Sequence, residues 1–476
     1  MSMDILIIST NHNKQPMPVM PVGACFVAEA AEKAGNRVKL LDLMFCGDPL
    51  NALASELQRS DYDLIGLSVR NIDNNDMQNP VEFFGDLPAL TKVIRQKTEA
   101  PIVLGGSAIS VMPEELLRYS NVQLAVLGDG EMVFPELLRV LSDGKNLETV
   151  PGIATYKNNV FRKTDLFSAS LRSCYIPDFH RWINIKAYLS NLSTVPVQSK
   201  RGCPYRCIYC TYPIGEGREY RLCEPESVVE GIKRSASSGL RDFEFVDNVF
   251  NSPYEHAMAI CESFFRADLN VCLQSLELNP LFIDDDLLSA MERAGFVGIG
   301  VTAESASGVV LDSLRKGFTT EHVYDAAQVI GRHNLPCIWI FMLGGPNETE
   351  KTVRETLTFA EKCIRPQDVA FFNVGIRIYP GTELEYLARE QGILMIPKEE
   401  MLKPVFYISP QLDIEWLTRE LQANMDTHMN YISNDSLSLP YLTSIHRFGY
   451  RFGVKPPLWK HTRLIRRGLR FLGVNA

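Results

Sequence analysis

Three cysteines stand close together at Cys203, Cys207 and Cys210, separated by three and then two residues in Arg201-Gly-Cys-Pro-Tyr-Arg-Cys-Ile-Tyr-Cys210. Thiolates are soft ligands, suited to iron–sulfur clusters or to zinc. Three of them leave a four-iron cubane one protein ligand short, so its open iron can take a small molecule. Zinc needs a fourth ligand. No His or Cys follows within ten residues of Cys210, and Cys223 is the nearest later cysteine. Ligand count favours the cluster and leaves zinc as the alternative. Tyr205 and Tyr209, inside the run, either shield the metal or pack.

These cysteines need a scaffold, and the chain predicts two αβ runs. In the first, strands at Asp4–Ser9, Val38–Asp42, Leu64–Val69, Ile102–Leu104 and Leu124–Leu127 alternate with helix-like stretches. Continuous apolar strands separated by helices imply a parallel sheet covered on both faces. Glycines and polar residues collect at the strand ends, where open α/β sheets bind ligands. Residues 141–194 read as a connector, with a small strand or turn at Pro151–Tyr156. The second run places strands at Pro196–Ser199, Phe243–Val246, Val271–Glu277, Val297–Val301, Cys337–Met342 and Ala370–Ile376, with helices between them. Six β–α steps suit a partial or complete barrel whose site lies at the carboxyl ends of its strands. The last hundred residues lack a clear period. They read as a small α-rich cap over the substrate side, with Tyr407, Trp416 and Tyr431 supplying aromatic surface. The expected division is 1–140, 141–194, 195–380 and 381–476.

Composition excludes several classes. The 476 residues carry a formal net charge of −9, which gives no support to general nucleic-acid binding. No apolar run reaches the length of a membrane span. The start, MSMDILIISTNHNK, has an acid at Asp4 and no basic segment before the apolar one, so it reads as a first strand and the expected location is the cytoplasm. Eleven cysteines, scattered apart from that one tight group, in a long cytosolic chain are not a disulfide framework.

The run CPYRCIYC resembles the Cys-x3-Cys-x2-Cys pattern of the radical S-adenosylmethionine (SAM) superfamily. The resemblance implies a partial (β/α)6 barrel in which Cys203, Cys207 and Cys210 hold a [4Fe-4S] cluster. The fourth iron would chelate SAM, and reductive cleavage would give a 5'-deoxyadenosyl radical. A one-electron reductant such as flavodoxin or ferredoxin is implied as partner. Phe243–Asn248 resembles the segment that receives the methionine amino group, with Asp247 as the contact, although the usual GGE is absent. Gly300–Ser307 resembles the fourth-strand segment, which gives Glu304 a SAM contact. An acid just beyond an apolar strand also needs a partner if buried. Phe341–Glu348 resembles the segment beside the adenine, through Gly344 and Gly345.

The first αβ run resembles the Rossmann-like cobalamin-binding domain that precedes the barrel in one branch of this superfamily. Three strand-end loops would cradle the corrin and its tail. They supply Ser68 and Asn71, then Gly105, Gly106 and Ser107, then Gly128, Gly130 and Glu131. The Asp-x-His-x-x-Gly motif that places a histidine on cobalt is absent. Asp178-Phe-His180 and Asp426-Thr-His428 lack the glycine and lie outside this domain. Cobalamin without a histidine ligand is therefore the expectation, with a sheet that has lost the cofactor as the alternative. A cobalamin beside an adenosyl radical implies methylation of an unactivated carbon in a small-molecule or lipid-like substrate. Oxidative cyclisation or ring rearrangement is the second reading.

Overall fold

The computed structural model describes residues 2–167, 175–434 and 442–471. Its first sheet has strands β1 (Asp4–Ser9), β2 (Arg37–Asp42), β3 (Leu64–Ser68), β4 (Ile102–Gly105), β5 (Leu124–Val126), β6 (Ile153–Lys157) and β7 (Val160–Lys163). Their order is β2-β1-β3-β4-β5-β6-β7, parallel through β5 and antiparallel for β6 and β7. Period-2 alternation explains why both faces of β1 are apolar. Ile5 and Ile7 pack with Ala24, Cys25 and Ala28 of the helix Val22–Lys33. Leu6 and Ile8 pack with Leu53, Leu90 and Ile94 on the other face. The order reverses between β1 and β3, where a crevice opens beyond the strands' carboxyl ends. The hairpin β6–β7 carries this sheet past residue 140 into the stretch read as a connector, because β5 offers its edge to Ile153–Thr155.

The second sheet contains β8 (Val195–Val197), β11 (Asp242–Phe245), β12 (Cys272–Leu278), β13 (Phe296–Glu304), β14 (Cys337–Leu343), β15 (Val369–Val374) and β18 (Tyr431–Ser433), all parallel and hydrogen-bonded in that order. Two small pairs, β9 (Lys200–Arg201) with β10 (Arg221–Leu222) and β16 (Ile376–Arg377) with β17 (Phe406–Tyr407), flank it. The first six strands are the expected ones. The seventh, β18, comes from the C-terminal hundred residues.

Within the tail, Ile408 and Ser409 lie beside Gly344 at the carboxyl end of β14, whereas the stretch around 457–459 lies at the other end. Trp459 and Pro457 lie 3.0 and 3.3 Å from where a Cβ on Gly298 would stand. Trp459 packs with Ile338, Val369 and Ile432. Gly298, Ile338 and Val369 lie near the amino-terminal ends of β13, β14 and β15, so this segment closes the barrel mouth opposite the cysteines. Tyr407 and Tyr431 are fully buried, and Trp416 packs half-buried against the core. Their aromatic surface serves packing. Among the described residues no helix is long and apolar enough to cross a membrane.

Candidate functional site

The cysteine loop leaves the barrel immediately after β8 and β9. Gly202 has φ +83°, and a Cβ there would stand 2.0 Å from the Glu219 carbonyl oxygen, so the loop's entry requires glycine. Backbone bonds then set the turn: Cys203 N donates to Gly217 O (3.1 Å) and Cys210 N to Cys207 O (3.2 Å). All three cysteines are free thiols, Cys203 buried and the other two half-buried. Burial pushes the Cys210 thiol up to about 12, and charge on Cys207 and Cys203 adds to the rise, so the three are electrostatic neighbours. Among the described residues no three His, Cys, Asp or Glu side chains converge tightly enough for a single ion. Three soft thiolates in one loop suit a four-iron cluster that keeps one iron open.

Glu304 reaches this loop. It ends β13 beyond a register shift and holds φ +59°, a strained conformation for glutamate. Its Oε1 accepts from Tyr209 Oη (2.9 Å) and from Lys316 Nζ (2.9 Å), and Lys316 also donates to Tyr209 Oη (3.1 Å). All three groups are enclosed. Burial opposes the Lys316 charge, yet Glu304 and Tyr209 prevail and hold it well above the usual lysine range. The strand-end acid, a residue of the cysteine loop and a lysine twelve positions later thus form one buried unit. At the carboxyl end of β12, burial and the neighbouring Glu304 push Glu277 up to about 8.

Two other sequence candidates are engaged internally. Both oxygens of buried Asp247 are taken: Oδ1 accepts from Ser199 N (2.7 Å) and Lys200 N (3.2 Å), and Oδ2 from Ser199 Oγ (2.5 Å). Asp247 braces the turn from β8 to β9 and presents no free oxygen to a ligand. The Gly344 and Gly345 amides both donate to Glu348 Oε2, the latter at 2.9 Å. Their carbonyls accept from Ser409 N (2.9 Å) and Glu348 N (3.1 Å). This pair closes a turn, with one hydrogen bond on each amide and each carbonyl.

The first sheet meets the cysteine loop from above. The helix Tyr212–Glu216 follows Cys210 directly and packs on the helix Ser107–Val111, which follows Gly105-Gly106. Gly215 O lies 3.3 Å from where a Cβ on Gly128 would stand. Gly106 has φ +100°, and a Cβ there would stand 2.3 Å from Val69 O, so only glycine lets the ends of β3 and β4 close together. Arg70, Asn71, Gly106 and Ser107 are exposed, and Ser68, Gly105, Gly128, Gly130 and Glu131 half-buried. Ser107 Oγ donates to Arg70 O.

Two residues reveal what kind of surface this is. Tyr212 is 49% exposed, yet burial raises its phenol. Arg70 is exposed, yet burial lowers its guanidinium, with Tyr212 and Glu244 of β11 opposing. Both side chains therefore sit among many protein atoms between the two sheets while keeping accessible surface. The exposed Gly106 and Ser107 and the half-buried Gly105, Gly128 and Gly130 present small side chains and backbone at the carboxyl ends of the first sheet, a lining that suits close approach of a corrinoid.

Buried ion pairs hold the cleft together. Arg201, next to the cysteine loop, pairs with Asp129 (2.8 Å) and Glu131 (2.6 Å), and Arg221 also pairs with Asp129. Glu131 is therefore an anchor for Arg201. Arg377 pairs with Asp73 at 2.8 Å, and Tyr188 Oη donates to Asp42 Oδ2 at 2.7 Å. The sequence gives no signal for Lys316, Arg201 or Arg221, whose partners lie far away along the chain or across a turn.

A cysteine loop at the mouth of a parallel barrel, facing the glycine-rich ends of a second parallel sheet, defines a two-cofactor enzyme. Residues 197–360 match the Radical SAM superfamily and residues 13–138 the B12 binding domain. The chain thus joins a radical SAM domain to a preceding B12 binding domain. An uncharacterized methyltransferase of Pyrococcus horikoshii is 24% identical over 380 residues, covering 79% of this chain and 80% of its own. The tryptophan 2-C-methyltransferase of Streptomyces laurentii is 22% identical, covering 80% of this chain and 74% of its own. The radical SAM methyltransferase TsrM from Kitasatospora setae, solved with cobalamin and a [4Fe-4S] cluster bound, shares the fold with a TM-score of 0.85 at 23% identity, covering 99% of this chain and 100% of its own.

Proposed function

We propose that this enzyme transfers a methyl group from SAM to an inert carbon of a small molecule. In this reading Cys203, Cys207 and Cys210 hold a [4Fe-4S] cluster, Glu304 faces SAM, and Ser68, Asn71, Gly105, Gly106, Ser107, Gly128 and Gly130 cradle cobalamin. The observation that carries it is the direct packing of Tyr212–Glu216, which follows the last cysteine, on the helix opened by Ser107. When bound, the cluster supplies the electron that cleaves SAM and the corrinoid supplies the methyl group. The methyltransferase names of the two relatives support the same reaction.

The chain's own residues position and enclose. Lys316 neutralises Glu304 and, with Tyr209, fixes its Oε1, so the carboxylate's other oxygen points from a rigid mount. Arg201 and Arg221 tie Asp129 and Glu131 to the strand pair β9–β10 that flanks the cysteine loop. A one-electron reductant such as flavodoxin or ferredoxin would serve the cluster.

The test is anaerobic incubation with candidate metabolites and methyl-labelled SAM. The expected result is label on a substrate carbon, with both S-adenosylhomocysteine and 5'-deoxyadenosine formed. Cleaved SAM with an unmethylated, cyclised or rearranged product would replace methyltransfer by the second reading.

A further inference from the structure

We propose that the C-terminal segment Leu442–Phe471 docks the enzyme onto an anionic lipid surface. Residues 442–471 contain eight Arg and Lys and no Asp or Glu, in a chain whose net charge is −9. Charge this segregated orients a protein in an external field, basic end toward the negative surface.

The segment is not uniformly basic; four of its eight cations each precede a large apolar side chain. Arg447-Phe448, Arg451-Phe452, Arg463-Leu464 and Arg470-Phe471 follow one another along two helices, Leu442–Arg451 and Thr462–Phe471, and the residue that closes the first. Phe448 (66% exposed), Phe452 (69%), Leu464 (69%) and Phe471 (91%) all face solvent. Phe448 and Phe452, four positions apart, share a face with ring centroids 4.5 Å apart. Leu464 and Phe471, seven apart, lie on one face of the second helix. Such side chains gain by leaving water for the acyl boundary, while the adjacent guanidiniums meet lipid phosphates.

The inward face is already engaged. Leu442, His446 and Gly449 are buried. Arg466 turns inward and donates to the carbonyls of Met425 (3.2 Å), His428 (3.2 Å) and Tyr431. Trp459 and Pro457 wedge the intervening turn into the barrel beside Gly298. The segment is thus fixed to the barrel at its closed end, with Arg470 also donating to the carbonyls of Asp426 (2.8 Å) and Met425 (3.0 Å), while the pairs Arg447-Phe448, Arg451-Phe452 and Arg463-Leu464 are exposed. That end lies opposite the cysteine loop, so docking there leaves the cleft open. An acidic protein or a nucleic acid would satisfy the arginines. Four apolar side chains on convex helices find a matching environment in a bilayer interface, which needs no complementary groove.

The experiment is co-sedimentation of the full-length, cofactor-loaded enzyme with phosphatidylcholine vesicles, with and without phosphatidylglycerol. Binding is expected to need phosphatidylglycerol and to weaken as salt rises. Two variants separate the contributions: Phe448→Ser with Phe452→Ser, and Arg447→Gln with Arg451→Gln. Each should lower vesicle binding by about tenfold or more while iron content and SAM cleavage stay at wild-type levels. Failure to bind phosphatidylglycerol vesicles, wild-type binding by the Phe variant, or single-stranded RNA displacing the vesicles would overturn the proposal.

Discussion

Replacing Arg201 by Met removes the charge that joins the two halves of the cleft and keeps the side-chain length. Arg201 is nearly buried and lies 2.8 Å from Asp129 and 2.6 Å from Glu131. Removing one partner of a buried pair costs about 3–5 kcal/mol, because the other charge is left without compensation. Arg221 still neutralises Asp129, which places the cost at the lower end, about 3 kcal/mol. Glu131 keeps no such substitute. Hydrogen exchange of the amides around 128–133 and 200–203 reads the local opening directly. About 3 kcal/mol corresponds to exchange about a hundredfold faster in these segments. In a Glu131→Gln background the same substitution should cost distinctly less. Unchanged exchange, or an equal cost with and without Glu131, would refute the argument. The pairing also predicts a pH dependence. Burial opposes the Asp129 charge, but Arg221 and Arg201 lower its pKa below the ordinary 3.8. Its contribution is therefore present above 3.8 and lost as pH falls through the lower native value.

Two further perturbations test other parts of the site. Glu304→Gln keeps the size and removes the charge that Lys316 and Tyr209 hold in place. SAM cleavage, followed as 5'-deoxyadenosine, should fall by about tenfold or more with iron content unchanged; wild-type cleavage would show that Glu304 only supports the fold. Glu348→Gln should stabilise the protein at alkaline pH. Burial pushes this carboxyl up to about 7 despite the Gly344 and Gly345 amides. A raised native pKa makes stability fall as pH rises through about 7, by at most about 3 kcal/mol at pH 8. The wild-type urea midpoint should drop between about pH 5 and pH 8, and the variant's should stay nearly level; parallel curves would contradict this.

Much of the architecture was legible because buried parallel strands are continuous apolar runs. DILIIS, LIGLS and CIWIFML announce themselves without any partner in view. The cysteine loop was legible because its ligands sit within eight residues of one another. The seventh barrel strand was not, since Tyr431–Ser433 is too short to show a period and is defined by pairing with β15. Nor was the duty of Asp247. An acid at a strand end reads the same whether it meets a ligand or braces Ser199 and Lys200. Glu348 was legible in principle, four residues after Gly344, as a carboxylate able to fold back on a glycine turn. Arg201 and Glu131, seventy residues apart, could be matched only in three dimensions.

The central claim is that one cleft holds the cluster and the corrinoid side by side. Electron paramagnetic resonance of the anaerobically reconstituted enzyme tests it most directly. With cobalt in the cobalt(II) state, reduction of the cluster should broaden the cobalt signal and speed its relaxation, because the Tyr212–Glu216 helix brings the two binding loops into contact. Replacing Cys203, Cys207 and Cys210 together by Ala should remove the iron and restore the unbroadened spectrum. A cobalt(II) signal indifferent to cluster reduction, or protein that retains the cluster but no corrinoid, would contradict the account.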